Sequence, residues 1–141
     1  MVPVPNRTTV SGKPLMDLVN QGQISQSKLD EIIDRTRKGG AEVVKLLEVG
    51  SAFYGPAASG IEMADSYLNN KKKTLPCAAH LNGEYGVSDL YVGVPVIIGS
   101  GGIEQVVELD LDAEEKKHFD TSIEAVNELF DAAKNIDPSL K

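Results

Sequence analysis

The sequence predicts an α+β fold, with antiparallel strands packed against long helices. Three observations carry that reading. Apolar residues recur at helical spacing in two stretches before residue 70 and again after residue 112. Between residues 74 and 109 that period gives way to β-branched runs separated by glycine turns. These runs stand too close together for crossover helices, so their pairing must be antiparallel. At 141 residues the chain is long enough for one sizeable core, and residues 1–141 are expected to form a single domain.

The elements follow in order. Pro3, Pro5, Gly12 and Pro14 exclude helix over residues 1–16, and Arg7-Thr8-Thr9-Val10 reads as a short edge strand. Val2 and Val4, set between prolines, read as packed residues. Ser27 and Asp30 form a short-acid capping box, after which Leu29, Ile32, Ile33 and Thr36 repeat at helical spacing. Gly39-Gly40 costs about 2 kcal/mol of helix propensity relative to two alanines, which predicts two helical pieces meeting there or one helix bent there. Val43, Val44, Leu46 and Leu47 resume the pattern. Pro56 suits the first turn of a further helix, whose stripe is Ala57, Ala58, Ile61, Ala64, Tyr67 and Leu68. That helix ends at Asn69-Asn70-Lys71-Lys72-Lys73, where basic charge complements its dipole. Strands follow at Leu75–Leu81, ending at Asn82-Gly83, at Leu90–Ile98 and at Ile103–Leu109. Pro95 within the second predicts a bulge or an edge position. Asp112 and Glu115 make a second capping box, and Phe119, Ile123, Val126, Phe130 and Ala133 line one face of a last helix that Pro138 stops.

Composition narrows the function classes. The formal charge is −7, from 14 basic and 21 acidic residues. That balance does not supply the cationic surface that nucleic acid needs, and it repels an anionic membrane. No apolar run approaches the roughly 20 residues that span a bilayer. The first ten residues lack the basic and apolar segments of a signal peptide. One cysteine excludes an internal disulfide framework and fits a reducing compartment, so a cytoplasmic location is expected.

Candidate chemistry is sparse. Gly99-Ser100-Gly101-Gly102 follows an apolar strand, but Glu104 stands where a dinucleotide loop needs its third glycine, and a strand-like segment follows instead of a helix. A hairpin turn is the simpler reading. Cys77 and His80 are three apart, but a zinc site needs three or four ligands, and no second pair stands near them in sequence. Cys77 reads as a small buried residue, and no metal is expected. His80 and His118 stand in no catalytic motif. Asp110, Asp112, Glu114 and Glu115 are explained by a helix start. The segment Gly50–Ser59 (GSAFYGPAAS) is different, because it sets two aromatics, two glycines and a proline between apolar helices. Two readings stay open for it: a rigid loop where a ligand meets backbone, or a tight connection with its aromatics in the core.

The stretches GGAEVVKLLEVGSAFYGPAASGIEMADSYL and LPCAAHLNGEYGVSDLYVGVPVIIGSGGIEQVVEL resemble the C-terminal, substrate-binding domain of malate dehydrogenases of the bacterial, lactate-dehydrogenase-like branch. The resemblance runs from Val2 to about Ile136. It implies a parent enzyme that interconverts malate and oxaloacetate with NAD, in the tricarboxylic acid cycle. It further implies an N-terminal dinucleotide-binding domain as partner of this half. That domain's glycine-rich loop, together with the family's catalytic histidine, proton-relay aspartate and clamping arginines, is expected upstream of Met1. No catalytic residue is then expected in this chain, no NAD is expected bound to it, and the chain alone should be inactive. What the resemblance does assign here is a loop facing substrate and nicotinamide: Ala52, its neighbour Ser51, and Pro56 near the ring. It also implies a homo-oligomer. The rival readings are a stand-alone assembly or binding module without catalysis, and the equivalent domain of a lactate dehydrogenase.

Overall fold

A computed structural model of the chain describes residues 2–140. They fall into two compact units, Met1–Phe53 and Tyr54–Lys141.

The first unit opens on proline geometry. Pro5–Arg7 form one 3-10 turn, which Thr8 closes by donating its N–H to the Pro5 carbonyl. The predicted Arg7–Val10 strand shrinks to β1 (Thr9–Val10), paired antiparallel with β2 (Lys13–Pro14). Val2 and Val4 are half-buried, in line with packed residues. Helix α1 (Leu15–Asn20) starts directly after Pro14 and buries Leu18. This corrects the exclusion of helix over residues 1–16, because Pro14 ends the β-ladder and leaves Leu15 and Met16 free to turn. Helix α2 (Gln26–Leu47) follows, and its cap is Ser25, whose Oγ accepts from the Lys28 N–H at 3.2 Å. The Ser27–Asp30 box is therefore not the cap; the helix begins two residues earlier. α2 also runs unbroken through Gly39-Gly40. The exposed Lys38–Asp34 pair at 2.8 Å is an i,i+4 pair of the kind that offsets part of the propensity deficit, and Arg35 reaches past both glycines to Glu42 at 2.9 Å.

In the second unit helix α3 (Tyr54–Leu68) carries Pro56 in its first turn, as the sequence predicts. Strands β3 (Lys73–Asn82), β4 (Ser88–Gly99) and β5 (Gly102–Val106) form an antiparallel sheet in that order. Strand alternation sends Cys77, Ala79 and Leu81 of β3 and Leu90, Val92, Val94, Val96 and Ile98 of β4 to one buried face. The register pairs them across the ladder, Cys77 with Val94, Ala79 with Val92 and Leu81 with Leu90. α3 and helix α4 (Ala113–Ile136) pack on β4.

Pro95 corrects an expectation, since β4 is the central strand and Pro95 sits in it without a bulge. It faces Pro76 across the β3–β4 ladder. Directly opposed residues in an antiparallel pair exchange both hydrogen bonds or neither, so two prolines fit the unbonded kind of position. On the other side the Pro95 carbonyl accepts from the Val107 N–H at 2.8 Å, just past the end of β5. The irregularities fall elsewhere, at Leu81/Asn82 and Ile97/Ile98. β5 is also shorter than the predicted Ile103–Leu109, because the chain after Val106 bonds to Tyr85.

α4 starts as read. Asp112 Oδ1 accepts from the Glu114 and Glu115 N–H groups, and the Glu115 carboxylate accepts from the Asp112 N–H at 3.0 Å. Of the predicted face Phe119 is buried, Ile123, Val126 and Ala133 are half-buried, and Phe130 is exposed.

Candidate functional site

The connection between α2 and α3 is shorter than the Gly50–Ser59 segment, because Tyr54 already belongs to a helix. Leu47 ends α2, and Glu48 caps it with φ +61 and its N–H on the Val44 carbonyl. Val49 then closes a tight turn, its N–H on the Leu47 carbonyl at 2.7 Å. Gly50 has φ +90, a backbone region open mainly to glycine. A Cβ at Gly50 would also overlap the Phe53 ring, with Cε2 at 2.7 Å, so the bare backbone of Gly50 seats that ring. Phe53 itself has φ +20. Between the two lie Ser51, exposed, and Ala52, half-buried. Pro56 is exposed in the first turn of α3, in the second unit. Ser51 and Ala52 thus share one loop, while Pro56 stands on a helix.

The remaining chemistry-bearing residues have structural partners. Cys77 is a free, buried thiol, and burial pushes its pKa up, which makes it a poor nucleophile. His80, an odd number of residues away, lies on the opposite, exposed face of β3, edge-on to Tyr91 at 5.1 Å. Strand alternation therefore keeps Cys77 and His80 from converging on one ion. His118 stands 3.8 Å from Glu114 one helical turn away. Among the described residues no group of three or more His, Cys, Asp or Glu side chains is placed to hold a metal.

Gly99–Gly102 is the β4–β5 hairpin turn. Its amides are already engaged, Ser100 with Asn70 Oδ1 at 3.0 Å and Gly101 with Glu104 Oε1 at 3.4 Å. A strand follows it, so the turn offers a pyrophosphate no helix N-terminus, and its two central amides already have acceptors. These residues do not fit a dinucleotide's phosphates.

The LNGEYGV motif is a structural staple. Gly83, at φ +118, turns the chain so that Tyr85 reaches back across the sheet end. Its hydroxyl donates to the Val107 carbonyl at 2.7 Å and accepts from the Leu109 N–H at 2.9 Å. Its backbone N–H meets Glu108 Oε2 at 2.7 Å, and its ring lies 5.0 Å from Phe119. Burial raises the phenol's pKa, so it stays protonated and keeps donating. Nothing in the spacing of the motif signals these contacts.

Two further features escaped sequence reasoning. A groove of about 460 Å³ runs along α2 from Ile32 to Leu46, where Gly39 contributes no side chain and Arg35 and Glu42 meet. At the end of α3, Asp65 accepts from Lys71 Nζ and Asn69 Nδ2, which holds its carboxyl below the usual range.

The chain matches the lactate/malate dehydrogenase, alpha/beta C-terminal domain over residues 1–136. It is 63% identical over 140 residues to a malate dehydrogenase of Pelagibacter ubique (strain HTCC1062), covering 99% of this chain and 44% of that protein. Among solved structures, the malate dehydrogenase of Cryptosporidium parvum superposes with a TM-score of 0.92 at 46% identity, over 96% of this chain and 43% of the other. The lactate dehydrogenase of Eimeria maxima, crystallised with NADH and oxamate, also gives 0.92, at 42% identity, over 96% of this chain and 42% of that one. The chain therefore spans less than half the length of the relatives it matches.

Proposed function

The chain belongs to the family of lactate/malate dehydrogenase alpha/beta C-terminal domains, and we propose that it is the substrate-binding and assembly half of an NAD-dependent malate dehydrogenase. The reaction is the reversible interconversion of malate and oxaloacetate, as in the tricarboxylic acid cycle. The observation that carries the substrate is the 63% identity to a malate dehydrogenase along 99% of the chain. The two units together make one family domain, a reading supported by a match that crosses their boundary.

In this reading the chain's own part is positioning. Ser51 and Ala52 wall the pocket beside substrate and nicotinamide, and Pro56 borders the ring. A dinucleotide-binding domain upstream holds NAD and supplies the catalytic histidine and the arginines. NAD, when bound there, carries the hydride. Residues 1–141 alone bind it weakly or not at all, in keeping with the engaged amides of Ser100 and Gly101. A cytoplasmic setting goes with this reading. Exposed apolar side chains, Ile61 at 70% and Leu68 at 75%, support an oligomeric enzyme.

The test is to express the complete reading frame that contains this sequence and to compare oxaloacetate with pyruvate as acceptor for NADH. Oxaloacetate should be preferred by at least about tenfold in kcat/KM, a difference of roughly 1.4 kcal/mol in transition-state binding. A preference for pyruvate would make the parent a lactate dehydrogenase. No in-frame His-Gly-Asp segment shortly before Met1, together with no turnover, would favour the non-catalytic module. The isolated chain should show no turnover, since losing an acid–base group alone typically removes about 10²–10⁴-fold.

A further inference from the structure

We propose that Phe53 and Gly50 are positioning residues: the Phe53 ring, seated on the bare backbone of Gly50, clamps the loop that presents Ser51 and Ala52. The proposal rests on the reading of that loop as the substrate-facing wall.

Four observations converge on it. Only residues 48–53 separate α2 from α3, and three of the six, Glu48, Gly50 and Phe53, have positive φ. A non-glycine residue in that region is strained and persists only where its surroundings hold it. Phe53 stays 55% exposed, so core burial is not what holds it there. What the ring does touch is Gly50, close enough that any side chain at Gly50 would collide with it. The contact brackets Ser51 and Ala52 from both sides and shortens the loop to a single turn.

A clamp of this kind serves a wall that must not move. A free six-residue loop would have to be ordered each time a substrate bound, and that entropy would be charged against affinity and orientation. Closed by an aromatic ring on glycine, the loop is ordered beforehand. Neither residue needs to touch substrate for this. The ring acts by fixing where the Ala52 side chain stands.

The experiment uses the full-length enzyme. Phe53→Ala should lower kcat/KM for oxaloacetate about 10- to 100-fold, the scale on which a misplacement of about 1 Å acts. Phe53→Tyr, which keeps the ring, should restore activity to within about threefold of wild type. Gly50→Ala should match Phe53→Ala; if that variant does not fold, the two Phe53 variants decide alone. NADH affinity by fluorescence titration and the thermal midpoint should stay near wild type in Phe53→Ala, because the residue is exposed and the cofactor's phosphates are held elsewhere. A drop in NADH affinity or midpoint as large as the drop in activity would overturn the clamp in favour of a general structural role. Equal losses in Phe53→Ala and Phe53→Tyr would overturn it as well. Ala52→Leu separates the clamp from the reading beneath it. If Ala52→Leu loses activity while Phe53→Ala does not, the clamp is wrong and the wall stands. If Ala52→Leu changes nothing, the wall reading itself fails.

Discussion

The three-stranded sheet and helix α2 are both built from apolar repeats, yet they end in opposite situations. In the sheet, every second residue of β4 from Leu90 to Ile98 is buried, and each of Leu90, Val92 and Val94 meets an inward residue of β3. In α2, Leu29 is the only fully buried residue, and Val43, Val44, Leu46 and Leu47 are exposed. The difference is one of closure. A hairpin supplies its own neighbour for each inward side chain, and the helices of the same unit cover the face. A helix presents a stripe that only another element can cover, so its apolar pattern predicts a partner without supplying one.

The widest gap between the two regions should appear in paired leucines. Leu81→Ala, at 0% exposure, should cost about 2–5 kcal/mol in denaturant unfolding, because it removes buried surface and leaves a cavity. Leu46→Ala, at 77% exposure, should stay within about 0.5 kcal/mol. Comparable costs at both positions would mean that α2 is covered in solution, and the contrast would disappear.

A smaller effect probes how the sheet is tied to its helix. Ser66 is fully buried; its Oγ donates to the Ile98 carbonyl at 2.7 Å and accepts from the Lys73 N–H at 3.2 Å. It thereby joins α3 to the end of the β3–β4 ladder, where Lys73 and Ile98 pair. Ser66→Ala leaves both backbone groups short of a partner and should cost about 1–3 kcal/mol. Urea midpoints equal to wild type would show that water replaces the hydroxyl there.

The smallest effect is electrostatic and lies on the exposed side of the same helix. Asp65 is held below the usual carboxylate range by hydrogen bonds from Lys71 and then Asn69. A carboxylate with a lowered folded pKa stabilises above its unfolded pKa, about 3.9, and that contribution vanishes as pH falls through the lowered value. Asp65→Asn should therefore be less stable than wild type near pH 7, and the gap should begin to close near about pH 4 and vanish only once the pH is below the lowered value. A gap that does not change with pH would assign the effect to hydrogen bonding alone.

Local rules were legible in the sequence wherever the deciding atoms lie within a few residues of each other. The Asp112–Glu115 box is closed by groups three positions apart, and the Gly99–Gly102 turn by the chain's own reversal. The apolar, β-branched runs mark β3 and β4, and Pro56 marks the first turn of α3. The candidate loop was visible as an unusual density of glycine, proline and aromatic residues, and the resemblance singled out Ser51, Ala52 and Pro56 within it.

Tertiary structure decided what depended on distant partners. Helix propensity left two pieces or one bent helix open at Gly39-Gly40, and a single 22-residue helix runs through it, because propensity is a weak local bias that cooperativity overrides. Ser25 and Ser27 are both capping residues by type, and only the position of Lys28 chooses between them. Pro95 reads as an edge residue until Pro76 is set opposite it. Tyr85 reads as one more aromatic in a turn, and becomes a staple only when Val107 and Leu109 arrive 22 and 24 residues later. Sequence alone thus determined the α+β class, the run of antiparallel strands between the helices and the capped start of α4, since these follow from backbone preference and from groups a few residues apart. The seating of the Phe53 ring on Gly50 followed only from three dimensions, because no period records where a side chain folds back onto its own backbone.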